Sequence, residues 1–199
     1  MSDVVKFEVL NWQQVYGMLL RQADKICATG FSPEIIVGIS RGGWIPARVL
    51  SDLLNNSNLA NVKVESYRGV ASRKHPILTQ SLSLVVSNKR VLAVDEVADS
   101  GNSLNIVVKH TLDKGAKEVK TATLFCKPHC SFKPDFFEKE TVSWVVFPWE
   151  SKETVKSILE VHKHDQSKIN EELENLAKAG MPKLLIARFF NEFSEVKNC

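Results

Sequence analysis

No stretch of this chain approaches the roughly 18 to 20 apolar residues that crossing a bilayer takes, so no membrane partner is expected. Met1 to Lys6 run into mixed sequence, without the basic start and apolar block of an export signal. Cysteine is sparse: Cys27, Cys126, Cys130 and Cys199 are scattered, and a disulfide framework is not expected. Cys126, His129 and Cys130 lack the second ligand pair of a zinc site, so that segment reads as a strand end. Charge of one sign is also missing. A net charge of +3 is too small to argue for a nucleic-acid partner. Internal repeats and low-complexity segments are absent. What remains is an ordinary globular composition, 44% hydrophobic and 25% charged over 199 residues, enough for one well-buried core with material to spare. A cytoplasmic location is expected.

Asn11 can cap a first helix with apolar positions Trp12, Val15, Leu19 and Ile26, and Gly30 suits its end. A strand at Glu34 to Ile39, the turn Ser40-Arg41-Gly42-Gly43 and a helix with Pro46 near its start make a strand–turn–helix unit. Val62 to Ser66 read as a strand. Residues of about 67–80 form a polar stretch with Arg68, Arg73, Lys74 and His75, long enough to be a flexible lid, and Leu82 to Val86 are placed as its returning arm. Further strands are expected at Val91 to Val94, Val119 to Cys126 and Val142 to Phe147, with a helix after Ser103. This alternation implies a largely parallel α/β sheet flanked by helices. Three helices then fill residues 151–199, of which the last, KLLIARFF, is apolar nearly all round and is expected to be buried, either against the domain or against a partner subunit.

The segment VLAVDEVADSGNS, Val91 to Ser103, carries the densest chemistry. A buried apolar run ends in Asp95 and Glu96, where the strand meets solvent and where ligands of open α/β sheets bind. Asp99, Ser100, Gly101, Asn102 and Ser103 then form a turn at a helix N-terminus, whose unpaired N–H groups and positive dipole end favour a phosphate. Taken singly, the acids could merely end a strand, and Asp99 or Ser100 merely cap a helix.

Together the pattern resembles the phosphoribosyl-diphosphate (PRPP) signature of the type I phosphoribosyltransferases. Over roughly residues 30–150 the chain is most similar to purine members of the xanthine–guanine or hypoxanthine–guanine kind. The resemblance implies the type I fold, with a core at residues 1–150 and a C-terminal helical extension at 151–199. It implies Asp95 and Glu96 at the ribose hydroxyls, and Asp99, Ser100, Gly101, Asn102 and Ser103 around the 5′-phosphate. Ser40, Arg41, Gly42 and Gly43 would hold the diphosphate, with Arg41-Gly42 a candidate cis peptide. Ser66 and Tyr67 would open the flexible loop. Lys127, in FCKP, would donate to the exocyclic oxygen of a 6-oxopurine, Trp144 would stack on the base, and Val145 would offer it backbone groups. An isolated lysine would otherwise be a surface charge and an isolated tryptophan core packing.

Asp99 would face purine N7 as general acid/base. Magnesium is the implied cofactor, with Glu150 and PRPP oxygens around it. Glu96 stands where an aspartate is usual, and Ser100 and Ser103 where threonines are common. The implied activity is salvage of hypoxanthine, guanine or xanthine with PRPP, in a homodimer or higher homo-oligomer. Adenine is the alternative base, and a PRPP-binding regulator the alternative class. Residues 151–199 hold eight Lys or Arg against eight Asp or Glu, no platform for nucleic acid.

Overall fold

Strands and helices alternate through most of the computed structural model, which describes residues 5–68 and 74–195. In chain order they are β1 (Phe7–Val9), α1 (Trp12–Ala28), β2 (Ile35–Ser40), α2 (Trp44–Leu53), β3 (Leu59–Arg68), β4 (Lys74–Gln80), β5 (Arg90–Val94), β6 (Val97–Ala98), α3 (Asn102–Asp113), β7 (Glu118–Cys126), β8 (Phe136–Glu140) and β9 (Trp144–Val146). A 3-10 turn at Pro148–Glu150 leads into α4 (Ser151–Val161), α5 (Gln166–Lys178) and α6 (Lys183–Glu195). By contacts the chain divides into two compact units, Tyr16–Thr141 and a second made of Met1–Val15 with Val142–Cys199. The motif-based core at 1–150 is thus cut differently, with Trp144, Val145 and Glu150 in the second unit.

The Tyr16–Thr141 unit is built on one sheet in the order β4-β3-β2-β5-β7, with β6 and β8 also pairing β7. All its pairings are parallel except β3 with β4. The connection from β2 goes through α2 to β3 on one side, and from β5 through α3 to β7 on the other. β2 and β5 therefore flank the point where the strand order reverses, the place at which such sheets leave a crevice. Val37, Ile39, Val91, Ala93, Leu104 and Val107 are buried in one cluster, with the sheet covered so that central strands need no polar face. α1 starts with a reciprocal cap: Asn11 Oδ1 accepts from Gln14 N at 2.9 Å, and Gln14 Oε1 from Asn11 N at 2.8 Å.

β5 and β6 are one strand interrupted at the acids. Val94 pairs Ala122 and Val97 pairs Phe125, so the register is kept across the break while Asp95 and Glu96 leave the regular ladder.

Several expectations are corrected. The returning arm after β3 is Lys74–Gln80, pairing from Lys63↔Gln80 to Arg68↔Lys74, and Leu82 to Val86 form no strand. The expected loop of 67–80 is therefore mostly hairpin; its tip, residues 69–73, lies outside the described residues. Ladder bonds need only backbone, so a polar stretch forms an edge strand here. Within this chain α6 buries one face: Ile186 is buried while Leu184 is 87% exposed. One apolar face suffices, since Ile186 and Phe189 join the second unit's cluster of Val146, Val155, Ile158 and Leu176.

Candidate functional site

β2 ends at Ser40, and the next three residues turn back over the end of β5. A Cβ on Gly43 would lie 2.5 Å from Val94 O, 2.7 Å from Ile39 O and 2.8 Å from Asp95 Cα, so only glycine admits this approach. The α-carbon of Gly42 in turn faces the Glu96 carboxyl so closely that any side chain there would collide with it. The glycine turn and the acid pair, far apart in sequence, are thus one site. Arg41 is exposed at its rim, and Ser40 Oγ accepts from Asn61 Nδ2 at 3.2 Å. The cis peptide bond is Ser40–Arg41, one residue before the expected Arg41-Gly42; it directly follows the last strand residue, whereas the glycine had marked its neighbour.

Glu96 is half-buried, and its Oε2 is shut from solvent without a hydrogen-bond partner. Burial, and then the like charge of Asp95, push its pKa well above the ordinary carboxylate range, with a backbone hydrogen bond and then Arg41 opposing. A carboxyl whose folded-state value is raised stabilises the fold fully below its unfolded value of 4.5, and that contribution is lost as pH rises through the folded value. Glu96→Gln should therefore gain stability relative to the parent progressively as pH rises above 4.5, read from paired thermal melts. A melting difference independent of pH would contradict this account of Glu96.

Asp99 to Ser103 run from the end of β6 into α3. Gly101 is the N-cap, with φ 80°, a left-handed conformation that suits glycine. Ser100 Oγ accepts from Asn102 N at 3.3 Å, and Asn105 N bonds Gly101 O at 3.0 Å. The first-turn amides of Ser103 and Leu104 have no carbonyl four residues back inside the helix, leaving an anion-sized cradle. Asn102 is exposed, Ser100 and Ser103 half-buried.

The segment after β7 packs on this turn. Lys127 N donates to Ala98 O at 2.9 Å, and Ser131 N and Oγ donate to Ser100 O at 3.1 and 2.9 Å. Lys127 itself is half-buried. His129, passed over in the sequence, places Nε2 3.0 Å from Asp99 Oδ1. Cys126 has its thiol pushed up to about 11 by burial and the neighbouring Cys130, so it is held protonated, unlike a zinc-ligating thiolate.

In the second unit Trp144 is 58% exposed, which removes core packing as its role. β9 pairs β1 in parallel, Phe7↔Trp144 to Val9↔Val146. Trp144 N donates to Lys6 O at 2.7 Å and Val146 O accepts from Leu10 N at 3.0 Å. In a parallel ladder alternate residues face one neighbour, so the N–H and C=O of Val145 between them point to the opposite edge. Glu150 ends the 3-10 turn. The Ser66 and Tyr67 side chains lie outside the described residues; their backbone pairs Pro76 and His75.

The Tyr16–Thr141 unit by itself offers a cation-rimmed glycine turn, two neighbouring carboxyls and an anion cradle on adjacent strand ends. The chain matches the phosphoribosyl transferase domain family over residues 8–154. A xanthine-guanine phosphoribosyltransferase from Gluconobacter oxydans is 29% identical over 156 residues, covering 75% of this chain and 88% of that protein. Among solved structures, a purine phosphoribosyltransferase from Pyrococcus horikoshii is similar with TM-score 0.66 and 36% identity, over 73% of this chain and 95% of that one. A xanthine-guanine-hypoxanthine phosphoribosyltransferase from Helicobacter pylori matches with TM-score 0.67 and 26% identity, over 76% and 99%.

Proposed function

The chain belongs to the phosphoribosyl transferase domain family, and from that premise we propose that it transfers the phosphoribosyl group of PRPP to a 6-oxopurine, giving a nucleoside 5′-monophosphate and diphosphate. The observation that carries this reading is the packing of the Ser40–Gly43 turn against Asp95 and Glu96, beside the Asp99–Ser103 cradle. One substrate with a diphosphate, a ribose and a 5′-phosphate spans such a row of subsites.

The 5′-phosphate sits on the α3 N-terminus, held by Ser100, Gly101, Asn102 and Ser103. The diphosphate takes the backbone of Ser40, Gly42 and Gly43, with the Arg41 guanidinium as its cationic partner. Asp95 and Glu96 hold the ribose hydroxyls, and Asp95 sets negative charge near the cationic C1′ as the diphosphate leaves, Glu96 being pushed toward its neutral form by burial and by Asp95. Asp99 takes or gives the proton on the base side.

Lys127 donates to the exocyclic oxygen of the base, Trp144 stacks on it, and Val145 offers its outward N–H and C=O. Ser66 and Tyr67 open a segment that covers the phosphates. Residues 1–150 act as the catalytic part and 151–199 as an extension. Its apolar, partly exposed α6 suits assembly into a homodimer or larger homo-oligomer, and the cytoplasm is the proposed compartment. No described helix is long and apolar enough to cross a membrane.

Magnesium fits the carboxylates at this point. The donors are hard oxygens, and Oε2 of Glu96 is unpartnered. Among the described residues no three His, Cys, Asp or Glu cluster as a cage, so most of the ion's ligands would be PRPP oxygens. When bound, the ion supplies charge neutralisation for the leaving diphosphate.

Lys127 decides between bases, because an ammonium donates but has no lone pair to accept from the amine of adenine. Lys127→Ala should cost hypoxanthine and guanine at least about tenfold in kcat/KM while leaving adenine's low rate unchanged, read from initial rates with each base. An unaltered ranking of bases would remove Lys127 from specificity.

A further inference from the structure

Asp99 and His129 stand 30 residues apart in sequence, yet His129 Nε2 lies 3.0 Å from Asp99 Oδ1. The two side chains are 74% and 68% exposed. An exposed pair contributes little to folding, so stability alone gives no reason for it. Its geometry is nevertheless tightly built. The backbone ties from Lys127 to Ala98 and from Ser131 to Ser100 bracket His129 on both sides. Cys130 N closes a turn onto Lys127 O at 3.0 Å, and Cys130 Sγ accompanies Phe132 O against the α-carbon of Gly101. The segment bearing His129 and the turn bearing Asp99 therefore form one block.

We propose that His129 is a positioning residue for Asp99. With its proton on Nε2, the ring donates to Oδ1 and fixes the plane of the carboxylate. Oδ2 has no hydrogen-bond partner among the described residues and is left for the purine nitrogen. The inference rests on Asp99 as the base-side group. As the bond from the base to C1′ forms and the bond to diphosphate breaks, the proton on N7 passes to Oδ2. The proton on His129 Nε2 stays where it is, so the step balances without a further donor.

The test compares the parent with His129→Ala, His129→Gln and Asp99→Asn, using PRPP, magnesium and the best base. His129→Ala should lower kcat about tenfold with KM for PRPP nearly unchanged. His129→Gln, whose amide still donates, should recover most of kcat. Should His129→Ala fail to fold, His129→Phe, a ring without a donor, takes its place with the same loss expected. Parent-like kcat in the non-donating variant, a loss that the Gln variant does not restore, or a loss confined to KM for PRPP, would overturn the proposal. If Asp99→Asn itself leaves kcat intact, the reading of Asp99 fails first. If Asp99→Asn collapses turnover and the histidine variants do not, only the role of His129 fails.

Discussion

Asp99→Asn is expected to lower kcat by about a hundredfold or more while the KM for PRPP stays within about twofold. The amide matches the carboxylate in size and keeps an acceptor oxygen, so phosphate binding by the neighbouring backbone survives. What it loses is the ability to take up a proton at the base. Folding is not at stake, because the Asp99 side chain is mostly exposed and its one hydrogen bond among the described residues is to His129. Saturating kinetics with each substrate varied in turn separate the two constants. A kcat equal to the parent's would take Asp99 out of proton transfer altogether, and a loss seen mainly in the KM for PRPP would make it a phosphate-binding residue instead.

Gly43→Ala should damage the fold as well as the activity. Its added methyl would meet Val94 O, Ile39 O and Asp95 Cα, all main-chain atoms of or beside the two central strands β2 and β5. Such neighbours cannot rotate away as a side chain can, and overpacking against them costs about 3 kcal/mol. Gly42→Ala is an instructive partner, because its methyl meets the flexible carboxyl of Glu96. That variant should fold better than Gly43→Ala and lose mainly PRPP affinity. Urea unfolding of both variants checks the order of stabilities. If Gly43→Ala were as stable as the parent, the close approach of the glycine turn to β5 would be wrong.

Much of this was visible in the sequence. Val91 to Val94, Glu34 to Ile39 and Val119 to Cys126 are short segments rich in apolar or β-branched residues, and each is a strand within a residue or so. Asn11 and Gly30 mark helix ends because cap and left-handed chemistry are local. Non-local features were harder. β4 contains Lys74, His75 and Pro76, a start that hides an edge strand paired to β3 through its backbone. β8, Phe136–Glu140, was missed because FFEKE alternates poorly and pairs β7 alone.

In the site, the motifs were legible but their contacts were not. Glu96 drew notice for its extra methylene. Its approach to Gly42 depends on β2 and β5 being neighbours, which no local spacing states. His129 sat in a segment considered only for zinc, and its contact with Asp99 depends on the backbone ties across β6 and β7. A histidine two residues after the lysine of FCKP was the available signal.

The account's central claim is tested most directly by incubating the purified full-length protein with PRPP, magnesium and, separately, hypoxanthine, guanine, xanthine and adenine, and separating the products. It predicts base-dependent formation of a nucleoside 5′-monophosphate with one diphosphate released per nucleotide, fastest with a 6-oxopurine. No nucleotide from any of the four bases would contradict it.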